Sequence, residues 1–176
     1  MKMMYVKKTK NKELRFCSNI INGMLERNYS LDHIKLQKLL FIFSVHYYNK
    51  FGFYPFCVYF EKWKLGPVLR SVYKEYKIFG YNNNINNVLY NLSFEKGMFL
   101  KKPYESLNLC NTESDLLEFV LDSYGNLDRF YLVDLCLSME CWKNYEEKII
   151  SRSEILFYSN AELLNLDVFL PYEYLN

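Results

Sequence analysis

The sequence predicts a mainly α-helical chain: a compact helical domain with one small extended or β-hairpin element. Three observations predict it. Apolar residues recur at helical spacing in successive separated runs. The two stretches that break this period, "FYPFCVYFEKW" and "VLYNLSFEKGMFLKKPY", are short and rich in aromatic and β-branched residues. The composition is 51% apolar against 24% charged, which suits a chain that folds around a core. A length of 176 residues fits one domain spanning 1–176. Residues 159–176 are apolar but weakly patterned, a C-terminal tail that packs on the domain or docks on a partner.

The first helix is expected near 13–28, with Leu14, Cys17, Ile20, Ile21, Met24 and Leu25 on its buried face. "RNYS" breaks the pattern, and Ser30 or Asp32 caps the next helix. That helix, "IKLQKLLFIFSVHYYNKF", is the strongest periodic signal in the chain. Leu36, Leu39, Leu40, Phe43 and Tyr47 share a face, and Phe41, Ile42 and Val45 widen it, so it is expected to be central and covered on several sides. Gly52 stops it. The aromatic segment that follows reads as extended, with Pro55 limiting regular pairing. Gly66-Pro67 turns the chain, and Pro67 is expected at the first helical position, where its missing N–H costs nothing. Val68, Val72, Tyr76 and Phe79 form one face of that helix, which Gly80 ends.

After the polar loop "YNNNINN", two apolar pieces flank Glu95-Lys96-Gly97 and suggest a hairpin. A helix opens at Thr112 with Leu116, Leu117, Val120, Leu121 and Tyr124 inward, and Gly125 closes it. Asp128 caps another helix, and a short one is expected from Ser153.

A formal net charge of +2 is too small to argue for nucleic acid on electrostatics, because such binding rests on neutralising many phosphates. The dense basic run Lys7 to Lys12 reads as a solvated lead-in to the first helix. "YFEKWKLG" and "SVYKEYK" interleave rings with lysines, as single-strand binders do. Glu61 and Glu75 inside those stretches disfavour that reading, and nucleic acid is kept only as a further alternative. No signal peptide or bilayer-spanning run is read, so no membrane partner is expected. The five cysteines are odd in number and form no C-x-x-C pair, which fits reduced thiols in a cytoplasmic protein, most of them core fillers.

Catalytic signatures are missing from the sequence. His33 and His46 are read as surface or half-buried histidines well apart on one helix, without an H-E-x-x-H or Cys/His cluster. There is no G-x-G-x-x-G, Walker loop or G-x-S-x-G elbow. Glu146-Glu147 and Glu113 with Asp115 read as solvated faces, and Cys141 beside Trp142 has no base placed next to it. Non-enzymatic function follows, with no catalytic residue, metal or cofactor expected.

Two blocks carry a family resemblance. In the first, Lys35, Leu36, Lys38, Leu39, Leu40 and Phe41 are followed by Glu61, Trp63, Gly66, Pro67 and Val68, then by Ser71, Val72 and Tyr73. The second, weaker block has Tyr124, Gly125, Leu127, Glu140 and Trp142. Together they resemble the Panacea (SocA-like) antitoxin domain over roughly residues 14–158. The family commonly carries T-H-x-E before the Trp; here "CLSME" places Leu137 near the His position, so any role of that His is absent. The resemblance implies a mostly helical antitoxin-type domain found beside varied toxins in bacteria, phages and mobile elements. Members neutralise a toxin by direct binding, or in one case by delivering it to a protease.

The expected partner is therefore a protein: a toxin, or alternatively a host defence protein blocked by a phage or mobile-element copy of the fold. An aromatic share of 19% supplies the ring side chains that anchor interfaces. Glu61, Trp63, Lys64, Arg70, Tyr73 and Lys74 are the candidate partner-binding residues, and Lys38, Gly66, Pro67 and Trp142 the structural motif. Two of these have competing structural roles: Trp63 as a core ring, and Glu61 in an ion pair with Lys38 or another basic residue.

Overall fold

The strongest apolar run of the sequence becomes the axis of the fold. In the computed structural model, which describes residues 11–56, 58–80, 83–85, 90–95, 98–139, 142 and 149–150, the chain order is α1 (Lys12–Glu26), α2 (His33–Phe51), β1 (Phe60–Trp63), β2 (Gly66–Val68), α3 (Arg70–Tyr76), β3 (Tyr90–Glu95), β4 (Met98–Pro103), α4 (Asn111–Tyr124), α5 (Arg129–Ser138) and β5 (Ile149–Ile150). The protein is mainly α with a small hairpin. The helix expected from Ser153, the tail 159–176, the basic run before residue 11, and Cys57, Glu140 and Cys141 lie outside the described residues.

Asp32, not Ser30, caps α2, its carboxylate accepting from Ile34 N (2.8 Å) and Lys35 N (2.9 Å). Gly52 ends the helix at φ 74°, a left-handed conformation glycine adopts without a Cβ clash. Every residue from His33 to Tyr47 is buried. A helix apolar on most of its circumference must find partners on all sides, and α2 touches α1, α3, α4, α5 and β2. Its ring contacts knit the core: Phe43 lies 4.3 Å from Phe16 of α1, and Phe41 lies 5.0 Å from Phe60 of β1, edge to face. The two histidines, expected at the surface or half-buried, are buried by this packing.

α1 buries Leu14, Cys17, Ile20, Ile21 and Met24, while Leu25, expected on that face, is exposed. Gly23 lets α1 approach α4, since a Cβ there would strike Leu121. Arg27 clamps the same pair from outside, donating to Glu118 and to Asp122 Oδ1 (2.8 Å). α4 turns Leu116, Leu117, Val120, Leu121 and Tyr124 inward as its period requires. Asp128 caps α5 through Phe130 N (2.7 Å). Cys17 and Cys136 are buried fillers, but Cys110 is exposed.

β3 and β4 form the hairpin expected around Glu95-Lys96-Gly97, antiparallel from Tyr90↔Pro103 to Glu95↔Met98. The stretch after β4 runs beside α1, and α1 side chains satisfy its backbone. Asn19 donates to Leu107 O (3.0 Å) and accepts from Leu107 N (2.8 Å), and Arg15 donates to Glu105 O and Ser106 O.

The second sheet has strand order β2-β1-β5. Among the described residues of the aromatic segment, only the last four pair as a strand. Pro67 does not open a helix. Trp63 pairs with Gly66 and Lys62 with Pro67, so Lys64-Leu65 is a two-residue turn and the chain doubles back before α3 begins at Arg70. Pro67 can sit in β2 because that strand is an edge and needs no donor on its open side. Val68 is therefore a buried strand residue rather than part of the α3 face. α3 is short and tightens into a 3-10 turn over Lys77–Phe79 before Gly80.

Candidate functional site

The hairpin β1–β2 and the start of α3 form a corner whose underside is fastened to α2 by two buried polar side chains. The corner needs them because Leu69, the residue that precedes α3, makes no side-chain capping bond, and its buried N–H would otherwise be orphaned. Gln37 solves this with one amide, accepting from Leu69 N at 2.8 Å and donating to Leu69 O at 3.3 Å. One turn position on, Lys38 extends beneath β2 and donates from Nζ to Pro67 O at 3.0 Å.

Lys38 is 1% exposed. Burial pulls its ammonium down to about 8, with the neighbouring Cys136 thiol opposing. Among the described residues no carboxylate pairs with it. Gly66 stands directly over it at φ 88°, and a Cβ at Gly66 would lie 3.0 Å from Lys38 Nζ and 3.1 Å from Cε. The glycine serves both the left-handed turn conformation and the close approach.

The outer face is built on Glu61. Arg70 grips its carboxylate with two parallel bonds, Nε to Oε1 at 2.6 Å and Nη2 to Oε2 at 2.9 Å. The Trp63 indole N–H donates to Oε2 at 2.8 Å. These bonds hold the Glu61 carboxyl below its ordinary range, chiefly through Arg70; partial burial opposes, and Trp63 and the charge of Lys74 assist. The ion pair expected for Glu61 with Lys38 or another basic residue is made with Arg70, while Lys38 is buried beneath β2.

Trp63 is half-buried, its ring 4.7 Å from Tyr73 at an interplanar angle of 62°. The Arg70 guanidinium lies 6.0 Å from the Trp63 ring centroid. Tyr73 in turn meets His33 at 6.3 Å. Lys64 at the turn, and Arg70 and Lys74 on α3, are exposed. Five of the six candidate partner-binding residues thus share contacts or charge around Glu61, and Lys64 stands on the turn beside them. Trp142 joins from the other side of β1: Lys62 Nζ donates to its carbonyl at 3.2 Å and lies 5.8 Å from its ring centroid.

Between the corner and α2 opens a cleft of about 220 Å³. Trp63, Tyr73, Leu65 and Val68 supply mostly apolar walls, with His33 and Lys38 contributed by α2 and Lys64 by the turn. Sequence reasoning did not single out Gln37 or this cleft. The available signal was a run of polar residues, Lys35, Gln37 and Lys38, inside an otherwise apolar helix. Buried polar groups need designated partners, so such a run points to tertiary hydrogen bonds.

Among the described residues no group of three or more His, Cys, Asp or Glu side chains is placed to hold a metal. No helix among them is long and apolar enough to cross a membrane. The family described as antitoxin SocA-like, Panacea domain matches residues 36–143, narrower than the span expected from the motifs. No curated protein and no solved structure matches the chain. The matched span runs from α2 through the corner to Trp142 and covers more than half of the sequence: the chain belongs to the antitoxin SocA-like Panacea domain family.

Proposed function

We propose that the protein is a non-enzymatic binding module that neutralises a partner toxin by direct contact, and that the β1–β2–α3 corner carries the contact. Family membership is the observation that carries the reading. The corner supports it physically. Its rings and charges are held by bidentate and indole hydrogen bonds to one carboxylate, so little side-chain freedom remains to be lost on docking. Half-buried Trp63 and Tyr73 supply the aromatic anchors that dominate interface energetics. Lys64, Arg70 and Lys74 supply a basic rim for a partner with an acidic face.

The test is co-expression in a bacterial host with the open reading frame next to this gene. That frame alone is expected to arrest growth, and adding this chain is expected to restore growth and co-purify with the toxin. The double variant Lys64→Glu, Lys74→Glu is expected to lose both effects while folding normally. A frame that is harmless alone and never co-purifies overturns the reading.

A further inference from the structure

The cleft between the corner and α2 has the chemistry of a receptor for one particular side chain. Its walls are apolar and aromatic, formed by Trp63, Tyr73, Leu65 and Val68. Lys38 is part of its lining and is almost wholly withdrawn from solvent, at 1% exposed. An ammonium has three donors and no acceptor. Here one hydrogen bond goes to Pro67 O, and no carboxylate among the described residues compensates the charge. A buried cation with so little compensation is costly and favours an incoming anion. The described titratable groups around it leave that role open. Glu61 is saturated by Arg70 and Trp63 on the outer face. Gln37 is consumed by Leu69. Cys136 lies behind Gly66, and His33, Tyr73 and Lys64 line the cleft without bringing a negative charge.

We propose that this cleft receives a glutamate side chain of the partner protein, its carboxylate meeting Lys38 and its aliphatic stem lying between Trp63, Tyr73 and Val68. The identity of the partner rests on the reading given above; the cleft's preference for a carboxylate does not. A single ammonium behind apolar walls suits a monoanion on a hydrocarbon stem. A phosphate would call for several convergent donors. The exposed lysine at the mouth, Lys64, draws the same sign of charge toward the opening.

Hexanoate reproduces the carboxylate and stem, hexanamide keeps the shape without the charge, and hexylamine reverses it. Each is titrated into the purified full chain while the Trp63 indole N–H and the Lys38 ammonium are followed by NMR. Hexanoate is expected to bind with a dissociation constant at or below about 10 mM, at least about tenfold tighter than hexanamide. It is also expected to raise the pH at which Lys38 titrates, and hexylamine is expected not to bind. Equal binding of hexanoate and hexanamide, or no shift at Trp63 and Lys38 with any probe, overturns the proposal. Lys38→Met is expected to erase the preference for the acid, but the wild-type Lys38 titration is decisive even if that variant fails to fold. Failure here is distinguishable from failure of the toxin reading, since co-expression reports on growth and uses no small carboxylate.

Discussion

His46 shows how much one buried group can contribute to a pH profile. It lies on α2 with its Nε2 3.3 Å from the Tyr124 hydroxyl and its ring 5.3 Å from Phe119. Burial lowers its titration to about 4 from an ordinary 6.5. The unfolded chain therefore takes up a proton at His46 near pH 6.5 while the folded chain refuses it until about 4, and stability is lost as pH falls through that window. The gap corresponds to about 3 kcal/mol. In urea melts, His46→Gln is expected to be less acid-sensitive than wild type by about that amount between pH 6.5 and 4. Parallel profiles would contradict the assignment. Lys38 acts at the other end of the scale. Its ammonium titrates at about 8 in the fold against 10.5 unfolded, so the burial penalty is present below 8 and relieved as pH rises to 10.5. Relative to Lys38→Met, wild type is expected to gain about 3 kcal/mol across that window. Taking the difference cancels the opposing alkaline effect of Tyr47 and Tyr124, whose hydroxyls burial holds protonated. Neither titration could be read from sequence, where His46 looks surface or half-buried and Lys38 reads only as part of a structural motif.

At the scale of elements, the corner separates what local pattern reveals from what it hides. The helices and the β3–β4 hairpin were legible because their signals are local: apolar period, Asp caps at 32 and 128, and two short apolar pieces flanking Glu95-Lys96-Gly97 in the sequence. The doubling back at Gly66-Pro67 was not. A proline followed by an apolar-periodic run has the local signature of a helix start. What moves the start to Arg70 is long-range: Lys38 and Gln37, 29 and 32 positions earlier, bind the backbone of Pro67 and Leu69. The pairing of β1 with Ile149–Ile150 is equally invisible locally. Two substitutions test this construction. Gln37→Leu strands the Leu69 N–H in the interior, while the Leu69 carbonyl keeps its bond from Tyr73 N, and is expected to cost about 1–3 kcal/mol by urea melt. Gly66→Ala must hold a left-handed turn and displace Lys38, and is expected to cost about 2 kcal/mol or more. Wild-type stability in either variant would show that the corner is fastened in some other way.

At the scale of the molecule, the division of labour follows from burial. α2 is enclosed by α1, α3, α4 and α5, so most of its residues specify the scaffold that supports the corner. Motif and candidate contact residues split accordingly: Lys38, Gly66 and Pro67 of the family motif are interior, while Lys64, Arg70 and Lys74, which lie outside that motif, are exposed around an aromatic platform. This explains why the sequence identified the scaffold more readily than the contact surface. Motif residues report on packing that every member needs, whereas rim charges answer to a particular partner. The central claim is that the corner is the docking face, and calorimetric titration of the purified toxin into wild type and into the Lys64→Glu, Lys74→Glu variant tests it most directly. With the thermal midpoint unchanged, the variant is expected to bind at least about tenfold more weakly. Equal affinity in the two proteins would contradict the claim.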